Sequence, residues 1–132
     1  MDSNDLREIT RTWERQRLSV LERCPSLYQD IRSAIQEGAR PENIFNLIDA
    51  ALDLEPTPAT IVSAATQAFD LIRTLVTREE RDAFLDLLNK VNGRTARPVE
   101  LKQGLLSLAI RHHATAMLEA TYFDDIRTAA AI

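Results

Sequence analysis

The longest apolar pattern in the chain runs from Thr57 to Val91, and its spacing is helical. Ile61, Ala65, Ala68, Ile72 and Leu75 recur on one face, with Val62, Phe69 and Val76 on a second line beside it. So wide an apolar arc predicts a helix covered on two sides, and Ala64, Ala65 and Ala68 would let a neighbour approach closely. Thr57 and Pro58 supply an N-cap and a first helical residue. At Thr77 the pattern resets, because Thr77-Arg78-Glu79-Glu80 has the form of a capping box, in which hydroxyl and carboxylate each satisfy a backbone amide. The next stripe is Phe84, Leu87, Leu88 and Val91, and Asn92-Gly93 closes it because both residues tolerate left-handed backbone. These segments predict a helical hairpin, 57–76 followed by 78–91, around which the remaining helices pack.

The flanking pattern is helical too. Leu6, Ile9, Trp13 and Val20 form one face of a first helix, helped by Leu18 and Leu21, until Cys24-Pro25-Ser26 interrupts it. Leu27, Ile31 and Ile35 line a second helix that ends at Gly38, and Arg40-Pro41-Glu42 opens a third with Ile44, Leu47, Ile48 and Ala51. Beyond the hairpin, Pro98 starts a last long helix carrying Leu101, Leu105 and Leu108 on one line and Leu106, Ile110 and Met117 on the next. Tyr122 and Phe123 are expected to dock and residues 124–132 to fray. The expectation is one all-α domain over 1–132, a compact bundle of about six helices with one core.

Composition narrows the function more than the fold. A net charge of −4 and a pI near 5.2 argue against a protein that coats nucleic acid or membrane nonspecifically, although a local basic face can coexist with an acidic total. The single cysteine excludes an internal disulfide framework and fits a reducing compartment. No apolar run approaches the roughly 20 residues that span a bilayer, and the polar start Met1-Asp2-Ser3-Asn4-Asp5 shows no secretory signal. A cytoplasmic location is expected.

Reactive constellations are few. His112 and His113 are adjacent, so on a helix they point about 100° apart and cannot chelate one metal. The acids around Asp49 and Asp82 read as solvated faces and caps, and no phosphate loop, nucleophile elbow or zinc spacing occurs. No metal, cofactor or catalytic residue is therefore expected. Two basic groups remain: Arg7, Arg11 and Arg15 at i+4 spacing on the first helix, and Arg94, Arg97 and Lys102 around the loop after the hairpin. Cations so placed can grip phosphates, though no aromatic side chains are interleaved to stack bases. Cys24, just before Pro25 at a helix start, sits where a helix dipole can lower a thiol pKa.

The segments Arg17-Leu18 to Cys24-Pro25-Ser26-Leu27-Tyr28, Thr57 to Arg73, and Leu75-Val76-Thr77-Arg78-Glu79-Glu80-Arg81 with Phe84 to Leu88 occur in an informative order. With Pro98 to Leu106, Leu118 and Tyr122-Phe123, they make the chain resemble the YbgA-like family of helical domains, over about Trp13 to Phe123. Members of that family occur alone or fused behind a thiouracil-desulfidase-type domain. The apolar scaffold carries the resemblance, which implies a helical fold, and the fusion implies an RNA-contacting accessory role. Three functions follow as expectations. The first is a non-enzymatic accessory or interaction domain that binds a protein partner or itself. The second is an RNA (tRNA)-contacting module using Arg7, Arg11, Arg15, Arg94, Arg97 and Lys102, and the third a thiol-based redox sensor built on Cys24.

Overall fold

The computed structural model describes residues 3–131, and the fold is all-α. Eight helices are present among the described residues: α1 Ser3–Arg23, α2 Pro25–Gln36, α3 Pro41–Leu52, α4 Pro58–Ile72, α5 Arg78–Asn92, α6 Pro98–Arg111, α7 Thr115–Glu119 and α8 Asp124–Ala131. A single 3-10 turn, Thr121–Phe123, joins the last two. Proline stands at the first position of α2, α3, α4 and α6, where its fixed φ is already helical and its missing N–H costs nothing. Two of the starts expected from sequence, one of them with proline as well, are capped by side chains. Thr57 and Thr60 cap α4 reciprocally, and Thr77 and Glu80 cap α5, with Thr77 N–H donating to Glu80 Oε1 at 2.8 Å and Glu80 N–H to the Thr77 hydroxyl at 3.1 Å.

Helix ends differ from expectation in an instructive way. Gly38 does take left-handed backbone (φ 74°), and Ala39 N–H closes back onto the Ala34 carbonyl at 3.0 Å. At the end of α5, however, Gly93 has φ −85° and it is Arg94 that turns left-handed (φ 62°), with Thr95 N–H bonded to Lys90 C=O at 2.8 Å. His113 does the same after α6 (φ 53°), which stops that helix at Arg111 and hands Met117 to the separate α7. The extra helices relative to the six expected come from this break and from the segment after Phe123, which runs as α8.

α4 sits centrally, with α1 on one side and α6 on the other, and α6 also packs on α5. The two hairpin arms meet through the Phe69 and Phe84 rings, stacked at 4.3 Å between centroids. The first arm stops at Ile72 rather than Val76, because the extended Thr77 cap must be reached through a turn. α1 is the other organising element. It is 21 residues long, and it packs against α2, α3, α4 and α7.

In place of one core there are two buried clusters, and α1 contributes to both. Ile9 and Val20 join Ile31 of α2 and Ile44, Ile48 and Ala51 of α3. Leu18 and Leu21 join the larger cluster of α4, α5, α6 and the chain end, which includes Phe69, Phe84, Leu101, Leu105, Met117, Tyr122 and Phe123. At about 25 cal/mol per Å² of apolar surface, each fully buried Leu, Ile or Phe contributes about 1.5–3 kcal/mol. Trp13 anchors the smaller cluster, with its ring 5.2 Å from that of Tyr28.

Candidate functional site

A groove of about 690 Å³ is walled by α1, by the end of α4 with its following turn, and by α7. Its floor includes Leu18, Leu71, Ile72, Leu75, Ala114, Met117 and Ala120. Leu71, beside Ile72 in the last turn of α4, and Leu75, in the turn that follows, are each 48% exposed, so the helix end that buries Ile72 also presents leucines to solvent. The rim is charged: Arg11, Arg15 and Arg17 against Glu14 and Glu119. A smaller cleft of Leu6, Arg7, Thr10, Arg11 and Glu14 continues along the same helix, sharing Arg11 and Glu14 with the groove. Thr121 fixes the far wall, since its hydroxyl lies 2.8 Å from Ser19 Oγ and donates to Gln16 Oε1 at 2.9 Å.

None of Arg7, Arg11, Arg15 or Arg17 has an ion-pair partner among the described residues. Arg7, Arg11 and Arg15 therefore repel one another at i,i+4 along α1, a pairing that costs a helix about 0.2–0.5 kcal/mol each time. The sequence-derived basic set splits at this point. Arg94 and Arg97 are exposed at the start of α6, whereas Ala114 and Thr115 of the groove follow its end. A helix of 14 residues separates them, about 20 Å.

Lys102 belongs to neither group, because it points inward. Its side chain is 4% exposed, with Nζ 3.1 Å from Glu22 Oε1, 3.0 Å from Oε2, 2.9 Å from Asp125 Oδ1 and 4.5 Å from the centre of the Tyr122 ring. Burial raises the Glu22 carboxyl above its ordinary 4.5, outweighing the attraction of Lys102. The Tyr122 phenol is raised as well, chiefly by burial and then by the Glu22 and Asp125 charges. This cluster ties α1, α6 and α8 together and lines neither the groove nor the cleft.

Glu80 does more than cap. It accepts from Arg111 at 2.7 Å and lies 2.7 Å from His112 Nε2, joining the start of α5 to the end of α6. The Thr77 backbone N–H, helped by Arg111 and His112, holds its carboxyl down at about 2. Cys24 is the N-cap residue of α2 and half-buried, with Sγ 3.2 Å from Ser26 Oγ. That hydrogen bond, with help from the Leu27 backbone, lowers the thiol below its ordinary 9.0. Among the described residues no three His, Cys, Asp or Glu side chains are grouped to hold a metal ion, and no helix is long and apolar enough to cross a membrane.

Sequence spacing showed the arginine line and Cys24 but neither the groove nor the inward turn of Lys102. The groove is built from residues near 11–18, 71–75 and 114–120, and the Lys102–Glu22 pair joins positions 80 apart. Leu75 carried a signal that could have been used: a leucine two residues before an extended cap lies outside the helix that would bury it.

Searches of the curated proteins and of the solved structures returned no match. The family profile described as a protein of unknown function, DUF1722, matches residues 17–125, so the match begins inside α1 and leaves Arg7, Arg11 and Arg15 outside it. This is the YbgA-like family that the order of apolar segments resembles. With α2 to α7 wholly inside the matched span, the chain belongs to the DUF1722 family.

Proposed function

We propose that the chain is a non-enzymatic accessory domain of the cytoplasm that binds a protein partner through the groove between α1, α4 and α7. The observation that supports this reading is the pairing of an apolar floor, with Leu71 and Leu75 half-exposed, and a rim of arginines that have no ion-pair partner among the described residues. Apolar surface left open beside desolvatable cations is the composition of a binding face, where arginine is enriched and a few buried contacts carry the affinity. In-cell crosslinking followed by purification tests it. Wild-type protein should carry a stoichiometric partner crosslinked near Leu71 or Ala116. A Leu71→Ser/Leu75→Ser variant with unchanged helical content should lose it. A strictly monomeric chain with no crosslinked partner would refute the proposal.

A second reading, contact with tRNA, is favoured by the line of Arg7, Arg11 and Arg15 exposed along one helix. Arg94 and Arg97 would touch a different part of such a ligand, and Lys102 would not touch it. Binding of this kind weakens with salt, with a log–log slope of about −0.7 to −0.9 per phosphate neutralised. Replacement of the three α1 arginines by alanine should flatten that slope by two to three contacts. Unchanged tRNA mobility in excess protein at low salt removes this reading.

A further inference from the structure

We infer that the occupant of the groove is an acidic amphipathic helix of another protein, an inference that rests on the docking reading above. Three observations carry it. The first is shape: groove and cleft share Arg11 and Glu14 and follow α1 from Leu6 to Leu18, about 18 Å at the helical rise, so the binding face is elongated rather than round. Three turns of helix have that length, and helix-in-groove recognition needs an apolar floor of this kind.

Charge is the second. Arg7, Arg11, Arg15 and Arg17 outnumber Glu14 and Glu119 along the two depressions, an excess of positive charge on a chain whose total is −4. Complementarity therefore selects carboxylates from the partner, and the two glutamates on the rim disfavour a uniformly acidic strand while leaving room for carboxylates in register. The third is periodicity. Arg7, Arg11 and Arg15 repeat every four residues, about 6 Å apart, the interval at which glutamates repeat along one face of a facing helix. Guanidinium forks bind carboxylates through two parallel hydrogen bonds, so each arginine can fix one acid of the partner.

The probe is a synthetic helical peptide with leucines on one face and glutamates at every fourth position beside them. It is titrated into the full chain with methyl NMR on Leu18, Leu71, Leu75, Ala114 and Met117. The acidic peptide should shift these methyls, and a lysine-for-glutamate peptide should bind at least tenfold more weakly. Arg11→Glu/Arg15→Glu should reverse that preference, a gain that misfolding cannot produce. If the lysine peptide binds the wild-type methyls equally well, the acidic character is wrong while the docking reading stands. Equal binding of a scrambled peptide of the same composition overturns the helical occupant. If no peptide moves the floor methyls, the acidic helical occupant is overturned, and the docking reading stands or falls by the crosslinking result. Concentration-dependent shifts of the same methyls in the chain alone would assign the groove to a second copy, and a short RNA hairpin that displaces the acidic peptide more tightly than it is held would assign it to nucleic acid; either overturns the proposal.

Discussion

Replacing Lys102 with methionine isolates what the buried cation does, because methionine keeps the length of the stem and removes only the ammonium. In the wild-type protein Nζ has both Glu22 oxygens within 3.1 Å and Asp125 at 2.9 Å, with the Lys102 and Glu22 side chains 4% and 3% exposed. The variant leaves the buried Glu22 without its hydrogen-bonded cation and with only the weaker attraction of Arg23, and a buried charge that loses its partner typically costs about 3–5 kcal/mol. That is a large share of the about 5–15 kcal/mol by which a domain is stable. The loss should depend on pH in a definite direction. Burial holds the folded Glu22 carboxyl above its ordinary 4.5, so the folded state keeps a proton that the unfolded chain has released, and stability falls as pH rises through the window above 4.5. Without Lys102 the window extends further upward, so the penalty of Lys102→Met is greatest at neutral pH and shrinks toward pH 4.5. Urea unfolding followed by circular dichroism at neutral and mildly acid pH measures both effects. A Glu22→Gln/Lys102→Met double variant should lose less than the two single losses together, since Lys102→Met strands Glu22 and Glu22→Gln leaves Lys102 with Asp125 alone, whereas the double variant buries neither charge. A loss under about 1 kcal/mol at neutral pH, or exact additivity, would refute the account of a dry, mutually dependent pair.

Other substitutions test local features. Gly104→Ala should stabilise by up to about 1 kcal/mol, because the new methyl meets Leu87 Cδ2 at an ordinary 3.7 Å and helix propensity improves; thermal denaturation checks it. His113→Gly should also raise stability, by about 1 kcal/mol, by relieving left-handed backbone at φ 53°, and an unchanged or lower melting temperature would count against that geometry. Glu80→Gln should flatten the acid limb of the stability curve: a carboxyl held at about 2 stabilises the fold above its ordinary 4.5 and stops doing so as pH falls from 4.5 toward 2. Cys24 should react with iodoacetamide with a titration midpoint below 9.0, and Ser26→Ala should move it up; a midpoint indifferent to Ser26 would remove the basis for a redox role.

What could be read from sequence follows the range of the interactions. Helix starts were legible because they are written in four consecutive residues, as at Thr57-Pro58 and Thr77 to Glu80. Apolar stripes were legible wherever one helix buries one face, so Ile72, Phe84, Leu101 and Leu105 are buried as their spacing predicts. Chain ends of helices were less so, since left-handed closure at Arg94 and His113 depends on which carbonyls must be satisfied rather than on residue preference. Lys102 was misplaced because exposure was assumed from its charge, and nothing within one turn of it announces Glu22. The groove was invisible for a geometric reason: it is the space between three segments, and no one of them contains it.

The double allegiance of α1 has a consequence for any attempt to trim this protein. A cut in the short connection between Leu52 and Thr57 separates two chains that look self-contained on paper. The front piece would keep Leu18 and Leu21 with nothing to lie on, and the back piece would have a bare trough where those leucines belong. Ile9 and Val20, on the opposite side of the same rod, would hold α2 and α3 to a helix that had lost its other support. The two halves share a spine, and neither is a minimal unit.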